Sequence, residues 1–478
     1  MAATTYVLVS TSSVQPTPSG DYYRKVGIPA SAVGPLPNGR RAVQYTSTSE
    51  MVADGWPANG PEVLAAERVF NPEPPPSEDN EPPLPQATHV VIIERTAETS
   101  QQSSGQITTY AAGQYTVFVL ENAGAPNAVP VPVSAYNSPG GENPATVVTN
   151  LVANAIAGWT ITDDGGGSFT VERDQVGIAF AMNLAVPQGA EYQPGAEAPA
   201  NGIFNDLTEA WYWQAFQWVA VDVGEPLHRV HEAGRWADAG LTNRDGRRNS
   251  ILCQVYDPDI PDGVVDNLGE QVMAPGYERL FGVFHNDASG LEKMSAAAIG
   301  SNVARPVQGP FASPWLLRRV NGSALEEDAF FRPTPTDNII DTGLGLIERP
   351  QSRADAMVVS FVEPNGGGLF PIQAQAQDIW HREASQAILR LIRRGVTVDV
   401  DGFEAFADEL DEVHTRLGSG EKPLLDLDTV TVTQASVEDI PADLRAKGDL
   451  ATVPFMQVSF TLVPFARRFA MTAFIALA

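Results

Sequence analysis

A multidomain α+β fold is what this sequence predicts: a mixed α/β core, interrupted by a β-rich insertion and flanked by extended strand-like arms. Three observations lead there. First, both ends alternate with period two. Tyr6-Val7-Leu8-Val9 is strand-like and runs into a Ser/Thr/Pro/Gly stretch, and Met456, Val458, Phe460 and Leu462 alternate with Gln457, Ser459 and Thr461 before a further alternating run through Phe469, Met471, Ala473, Ile475 and Leu477. Second, residues 101–189 carry very few charges and many Thr, Val, Ala and Gly, which sets them apart as a small β-rich unit. Third, helical and strand patterns alternate beyond residue 200, the order of an α/β core.

Taken along the chain, residues 43–45 predict a short strand, and Pro61 opens a helix with Val63, Ala66 and Phe70 on one face. Residues 71–85 are almost entirely Pro, Glu, Asp and Asn and read as an extended acidic connector, after which 89–93 is an apolar strand. In the insertion, 114–120 is a strand, Asn143-Pro144 starts a helix through Val147, Leu151 and Ile156, and 160–162 with 168–172 flank Asp163-Asp164-Gly165-Gly166-Gly167 as a hairpin. The Gly/Pro-rich stretch 186–201 closes it.

Phe204, Leu207, Trp211, Ala215 and Trp218 then fall at helical spacing, and 219–221 reads as a buried strand. Pro226 opens a helix with Leu227, Val230 and Ala237, followed by strands at 251–256 and 280–284 and an Ala-rich helix over 291–299. Ile379, Ala384, Ala387, Ile388, Leu391 and Ile392 form an amphipathic helix that ends in Arg393-Arg394-Gly395, cations and a glycine where a helix C-terminus favours them. Phe403, Phe406, Leu410, Val413 and Leu417 make one more helix before the C-terminal strands.

Composition narrows the function. Thirty basic against fifty-eight acidic residues give a net charge of −28, which opposes direct binding to nucleic acid and to anionic membranes. No apolar run is long enough to span a bilayer, and Met1 leads into small polar residues, so neither membrane insertion nor a signal peptide is expected. The single Cys253 lies in an apolar run and reads as a buried strand residue, in keeping with synthesis in a reducing compartment.

The search for chemistry is unproductive. His228 and His231 are three apart on a helix, yet no third metal ligand is near in sequence, so packing roles are expected. Asp399-Val400-Asp401-Gly402 lacks the remaining positions of a calcium loop and reads as a turn before a helix. Gly165-Gly166-Gly167 and Gly343-Leu344-Gly345 lack the residues of a phosphate loop. No Gly-x-Ser-x-Gly elbow occurs. Trp211, Tyr212, Trp213 and Trp218 would suit a sugar platform, but their spacing predicts a core helix. The expectation is a protein with no catalytic residues, no metal and no cofactor.

The order of these segments resembles the contractile tail sheath proteins of bacteriophages. Met51 to Gly55 leading into the helix that ends at Val69-Phe70, then a Pro-bearing link to the strand 90–95, is similar to the start of that family's core. Gly113 to Val117, the helix 144–157 and Phe169-Thr170-Val171 resemble its insertion. Trp211-Tyr212 with the strand at 251, then Leu280 to His285 with Asp287, the helix to Gly300, Trp315-Leu316-Leu317 and Val320-Asn321-Gly322 resemble its recurring core blocks, and Asp439 to Lys447 before the terminal strands resembles its close. The acidic link 71–85 and the long loop 257–276 depart from the pattern.

The resemblance implies a structural subunit of a virion tail, assembled in the host bacterial cytoplasm, that polymerises as stacked rings in a helical sheath and contracts to drive a tail tube through the bacterial envelope. Implied partners are copies of itself, the tail tube protein, and baseplate and tail terminator proteins. The implied division is an N-terminal arm (1–35), first core part (36–100), inserted β-rich outer domain (101–195), second core part (196–370), C-terminal tube-proximal domain (371–464) and C-terminal arm (465–478). Strand exchange between subunits would use Tyr6, Val7, Leu8 and Val9 and Phe469, Met471, Ala473, Ile475 and Leu477. In so acidic a chain the cations Arg390, Arg393 and Arg394 are the candidate tube contact. Alternatives are a carbohydrate-binding or hydrolytic tail component, such as an adhesin, or another assembled structural protein such as a tail-tube or surface-layer subunit.

Overall fold

The computed structural model describes residues 24–36, 39–71, 89–121, 125–242, 248–303, 318–320, 333–348, 357–361, 364–395, 399–419, 424–434, 436–442 and 456–462. The nine strand-exchange candidates at the two ends lie outside these residues, as do Trp315 to Leu317 and most of the acidic connector.

The core begins with β1 (Lys25–Val33), β2 (Ala42–Tyr45), α1 (Thr48–Ala53), α2 (Pro61–Phe70) and β3 (His89–Arg95). Ser47 caps α1 by accepting from Glu50 N, and Pro61 opens α2 where a helix leaves its amide unbonded in any case. The chain then leaves the core for β4 (Gln102–Thr109), β5 (Gly113–Glu121), β6 (Val131–Ser138), α3 (Pro144–Ala153), β7 (Trp159–Gly165), β8 (Ser168–Arg173), β9 (Phe180–Ala185) and β10 (Glu191–Ala198). It returns through α4 (Ile203–Trp213), β11 (Trp218–Val221), α5 (Leu227–Thr242), β12 (Ser250–Val255), α6 (Leu268–Met273), β13 (Leu280–Phe284) and α7 (Met294–Val303). After β14 (Arg318–Val320), α8 (Pro333–Asp341), β15 (Gly345–Glu348) and β16 (Met357–Ser360) come α9 (Pro371–Arg394), α10 (Val400–Gly418), β17 (Leu425–Gln434) and β18 (Met456–Leu462).

The core sheet has the order β14-β16-β15-β13-β12-β11-β1-β3-β2. From β3 to β15 its neighbours are parallel, and the chain starts near the middle at β1, forms the edge strand β2, inserts β3 between the two, then crosses back past β1 to build the other side. This is a doubly wound sheet with its strand order reversing between β1 and β11. Its central strands are largely apolar on both faces because helices cover both: every residue of β11, β12 and β13 is buried. Successive residues of β12 reach the two layers, Cys253 lying towards Met273 of α6 and Gln254 accepting from Met294 N of α7. On the α7 side, Gly300 lets α7 approach α2 so closely that a Cβ there would stand 2.8 Å from Arg68 O.

The excursion between β3 and α4 builds two antiparallel sheets, β10-β4-β8-β7 and β6-β5-β9, with α3. They enclose an apolar cluster of their own, including Ile107, Tyr115, Val117, Leu151, Phe169 and Val171, separate from the cluster of the core. The turn Gly165-Gly166-Gly167 joins β7 to β8 with all three glycines at positive φ, which a side chain would oppose. The helices α9 and α10 and the hairpin β17-β18 share the apolar cluster of the core sheet.

Several boundaries differ from the sequence expectation. Residues 25–33, placed within an N-terminal arm of 1–35, form β1 between β11 and β3 at the centre of the sheet. Their Gly, Pro and Ser content hides this, but Gly27 is small because a Cβ there would meet Ile93 and Phe216 at 3.0 Å, and β11 pairs only with Val26 and Gly27, before Pro29. Trp218 belongs to β11 and not to the preceding helix, which ends at Trp213 where Gln214 turns extended. The Ala-rich helix starts at Met294 rather than 291, since Lys293 takes a left-handed conformation, φ 51°. Ile156 lies beyond α3 and is exposed. The loop 257–276 contains α6, capped by Asn267.

Candidate assembly surfaces

The candidate cations sit at the end of α9, and two contacts position that helix. At its start Gln373 Oε1 accepts from Phe370 N at 2.9 Å, the reciprocal half of a capping box, with Pro371 in the first turn. One turn further, Asp378 binds Arg279, just before β13, at 2.9 Å and Gln217, just before β11, at 2.7 Å. The helix therefore lies across the N-terminal ends of the parallel strands, with Ala374, Trp380, Ala384 and Ala387 in the core cluster.

Its last two turns project along α10, which Asp399 caps by accepting from Gly402 N at 2.9 Å. Phe403, Phe406, Leu410, Val413 and Leu417 are buried, as their spacing predicts. His414 stacks on Trp380 with ring planes 8° apart. Glu383 of α9 accepts from Arg416 of α10 at 2.6 Å.

Glu409 accepts from both Arg390 (3.1 Å) and Arg394 (3.3 Å), and these arginines stay 44% and 67% exposed. Arg393 is exposed on the same final turn. The structure thus brings the three cations together, ties two of them to α10, and leaves the group accessible. Such exposed pairs contribute about 1 kcal/mol or less, so a competing carboxylate surface could replace them at low cost.

The histidines and the cysteine resolve as packing. His228 Nε2 meets Glu98 Oε2 at 3.1 Å and its Nδ1 meets the Gln175 amide at 2.9 Å, while His231 Nε2 donates to Gln271 O at 3.0 Å. The two rings, three residues apart, face different partners, and no group of three metal-ligating side chains occurs among the described residues. Cys253 is buried in a central strand, which pushes its thiol up to about 12. Trp211 and Trp218 are buried, whereas Tyr212 and Trp213 are more than half exposed, so the aromatic run is divided between core and surface.

A cavity of about 240 Å³ lies at the C-terminal ends of β1 and β11, the place where doubly wound sheets bind ligands. Its charged lining is committed internally: Lys293 to Asp222 at 2.7 Å, Arg95 to Glu225 at 3.1 Å, and Glu62 to the amide and hydroxyl of Ser31, both at 2.7 Å. No helix among the described residues is long and apolar enough to cross a membrane.

No known family matches the sequence, and no curated protein does. Among solved structures the chain is similar to one from the anti-feeding prophage helical sheath in its contracted state, with 11% identity and a TM-score of 0.46, over 94% of this chain and 92% of that one. It is also similar to a chain of the anti-feeding prophage baseplate, with 12% identity and a TM-score of 0.38, over 57% of this chain and 73% of the other.

Proposed function

We propose that this chain is the structural subunit of a contractile tail sheath, polymerising around a tail tube and contracting to drive it through a bacterial envelope. The observation that carries the reading is the interruption of a doubly wound core after β3 by a unit with its own apolar cluster, followed by a helical pair and a terminal hairpin. Of the blocks that resemble the sheath family in sequence, those within the described residues fall on these elements in chain order. The inserted unit is the outer domain in this reading, and α9 with α10 is the tube-proximal layer.

Each subunit repeats the same heterologous contacts along an open helix. Residues 1 to about 20 and 465–478 are the arms that add strands to neighbouring subunits, a link of main-chain hydrogen bonds that survives rotation of the bodies it joins. Contraction is passage from a strained packing to one that buries more surface, with no nucleotide involved. Arg390, Arg393 and Arg394 face the tube through a polar contact that releases readily. Baseplate and terminator proteins meet the two ends of the assembly.

Electron microscopy of the purified full chain tests this. Hollow cylinders support the reading, and deletion of either arm leaves folded monomers that form none. Dispersed monomers in the parent, under all conditions that polymerise sheaths, overturn it. The exposed Tyr212-Trp213 pair favours a second reading, a glycan-binding tail component, and measurable binding to a glycan array by such monomers would select it.

A further inference from the structure

Among the described residues, the inserted unit meets the core at two places that are far apart in its own sequence. The first contact is at its roots. Glu98, on the segment leading out from β3, accepts from Arg229 Nη1 at 2.6 Å and from His228 Nε2 at 3.1 Å, and Gln175, between β8 and β9, reaches the other nitrogen of His228. Asn201, on the segment leading back, donates from its side chain to Thr96 Oγ1 at 3.0 Å and to Ala97 O at 3.1 Å. The second contact is the loop between β5 and β6. There Asn127 donates its backbone N–H to Pro275 O at 3.3 Å and its side-chain amide to Ala274 O at 3.0 Å, and Ala125 and Ala128 join the apolar cluster of the core.

One helix joins the two contacts. On α5, His228 and Glu232 face the inserted unit, Glu232 accepting from Ala179 N, while His231 donates to Gln271 of α6, the short helix whose end carries Ala274 and Pro275. We propose that α5 and α6 form a two-point clasp that fixes the inserted unit against the core, so that it turns with the core as one body. A unit joined only by its incoming and outgoing segments keeps a hinge at those segments. A contact away from the hinge removes that freedom. The first contact also resists opening: Arg229 is 1% exposed between Glu98 and Glu225, and withdrawal of Glu98 would leave half of its buried guanidinium unpaired. The clasp is a property of the single chain and stands whether or not the chain assembles; in an assembly, rotation of the core would pass to the inserted unit without slack.

Cys253 is the one cysteine of the chain and is buried, so introduced surface cysteines take spin labels selectively. Labels at Thr162→Cys in the inserted unit and Glu209→Cys on α4, both exposed positions, report the distance between the two bodies in the full chain. The expected result is one narrow distance distribution, broadened about twofold when Glu98→Ala and Asn127→Ala are combined. A broad distribution in the labelled parent overturns the proposal. Asn127→Ala alone removes an exposed side chain and leaves the fold intact; it should give a smaller broadening and faster amide exchange in 125–128, and no change in either quantity overturns the assignment of the second contact.

Discussion

Arg279 and Asp378 form a 2.9 Å ion pair sealed from solvent, their side chains 0% and 3% exposed, and through it α9 is fastened to the base of the parallel sheet. Arg279 Nη1 also donates to Ala374 O and Nη2 to Gln377 Oε1, so its guanidinium serves three groups of one helix. Removing one partner strands the other in low dielectric. Arg279→Met is therefore expected to lower unfolding free energy by about 3 kcal/mol, measured by urea denaturation, and Asp378→Asn, which keeps a hydrogen-bonding group opposite Gln217, by less. Equal losses in the two variants would contradict this account.

Acid should destabilise the chain through its histidines. Burial holds His285 down to about 4, and burial with the adjacent Arg248 and Arg279 holds His381 down to about 3. Above pH 6.5 neither ring is charged in either state and their contribution is complete. As pH falls below 6.5 the unfolded chain takes up protons that the fold refuses, so stability declines, down to about pH 4 for His285 and pH 3 for His381, each ring removing about 2 kcal/mol by pH 5. Asp238 acts oppositely: burial raises its carboxyl to about 6, so it favours the fold as pH falls from 6 towards 3.8. His285→Gln should flatten the dependence of stability on pH between 6.5 and 4 by about 1.4 kcal/mol per unit, read from denaturation curves at stepped pH.

The aromatic run on α4 should divide by face. Trp211 is 8% exposed, against 54% for Tyr212 and 57% for Trp213. Trp211→Ala is expected to cost about 3–5 kcal/mol, and Tyr212→Ala or Trp213→Ala less than about 1 kcal/mol, in thermal or urea unfolding.

Gly300 sets the approach of α7 to α2, because a Cβ would press on backbone atoms of Arg68 and Val69, which cannot rotate away. Gly300→Ala should therefore cost about 1–3 kcal/mol, although alanine is the better helix former by about 1 kcal/mol. A stabilised Gly300→Ala variant would show that the two helices can separate without penalty.

Reversal of Arg393 and Arg394 to Glu should impair assembly around a tube while circular dichroism stays unchanged. Arg394 is itself 67% exposed, and its pair with Glu409 contributes little to the fold. Normal tube-templated assembly by this variant would return the cations to the role of capping α9 and pairing with α10.

The sequence by itself determined the elements whose side chains repeat with a clear period. Val63, Ala66 and Phe70, the face from Phe403 to Leu417, the triple-glycine hairpin and the core strands β2, β3, β11, β12 and β13 are each set by local chemistry and by which side must be buried. It also identified Arg390, Arg393 and Arg394 as one group, since i, i+3 and i+4 positions share a helix face. Tertiary structure decided what depends on partners distant in the chain. Gly27 and Pro29 look like a linker until Phe216 and Ile93 pack against β1, and Trp218 keeps helical spacing with Trp211 although it lies in a strand. Glu409 lies fifteen residues beyond Arg394, and no local period connects them. His228 and His231 share a helix, as their spacing implies, yet their roles come from Glu98, Gln175 and Gln271, which only folding brings to the two sides of that helix.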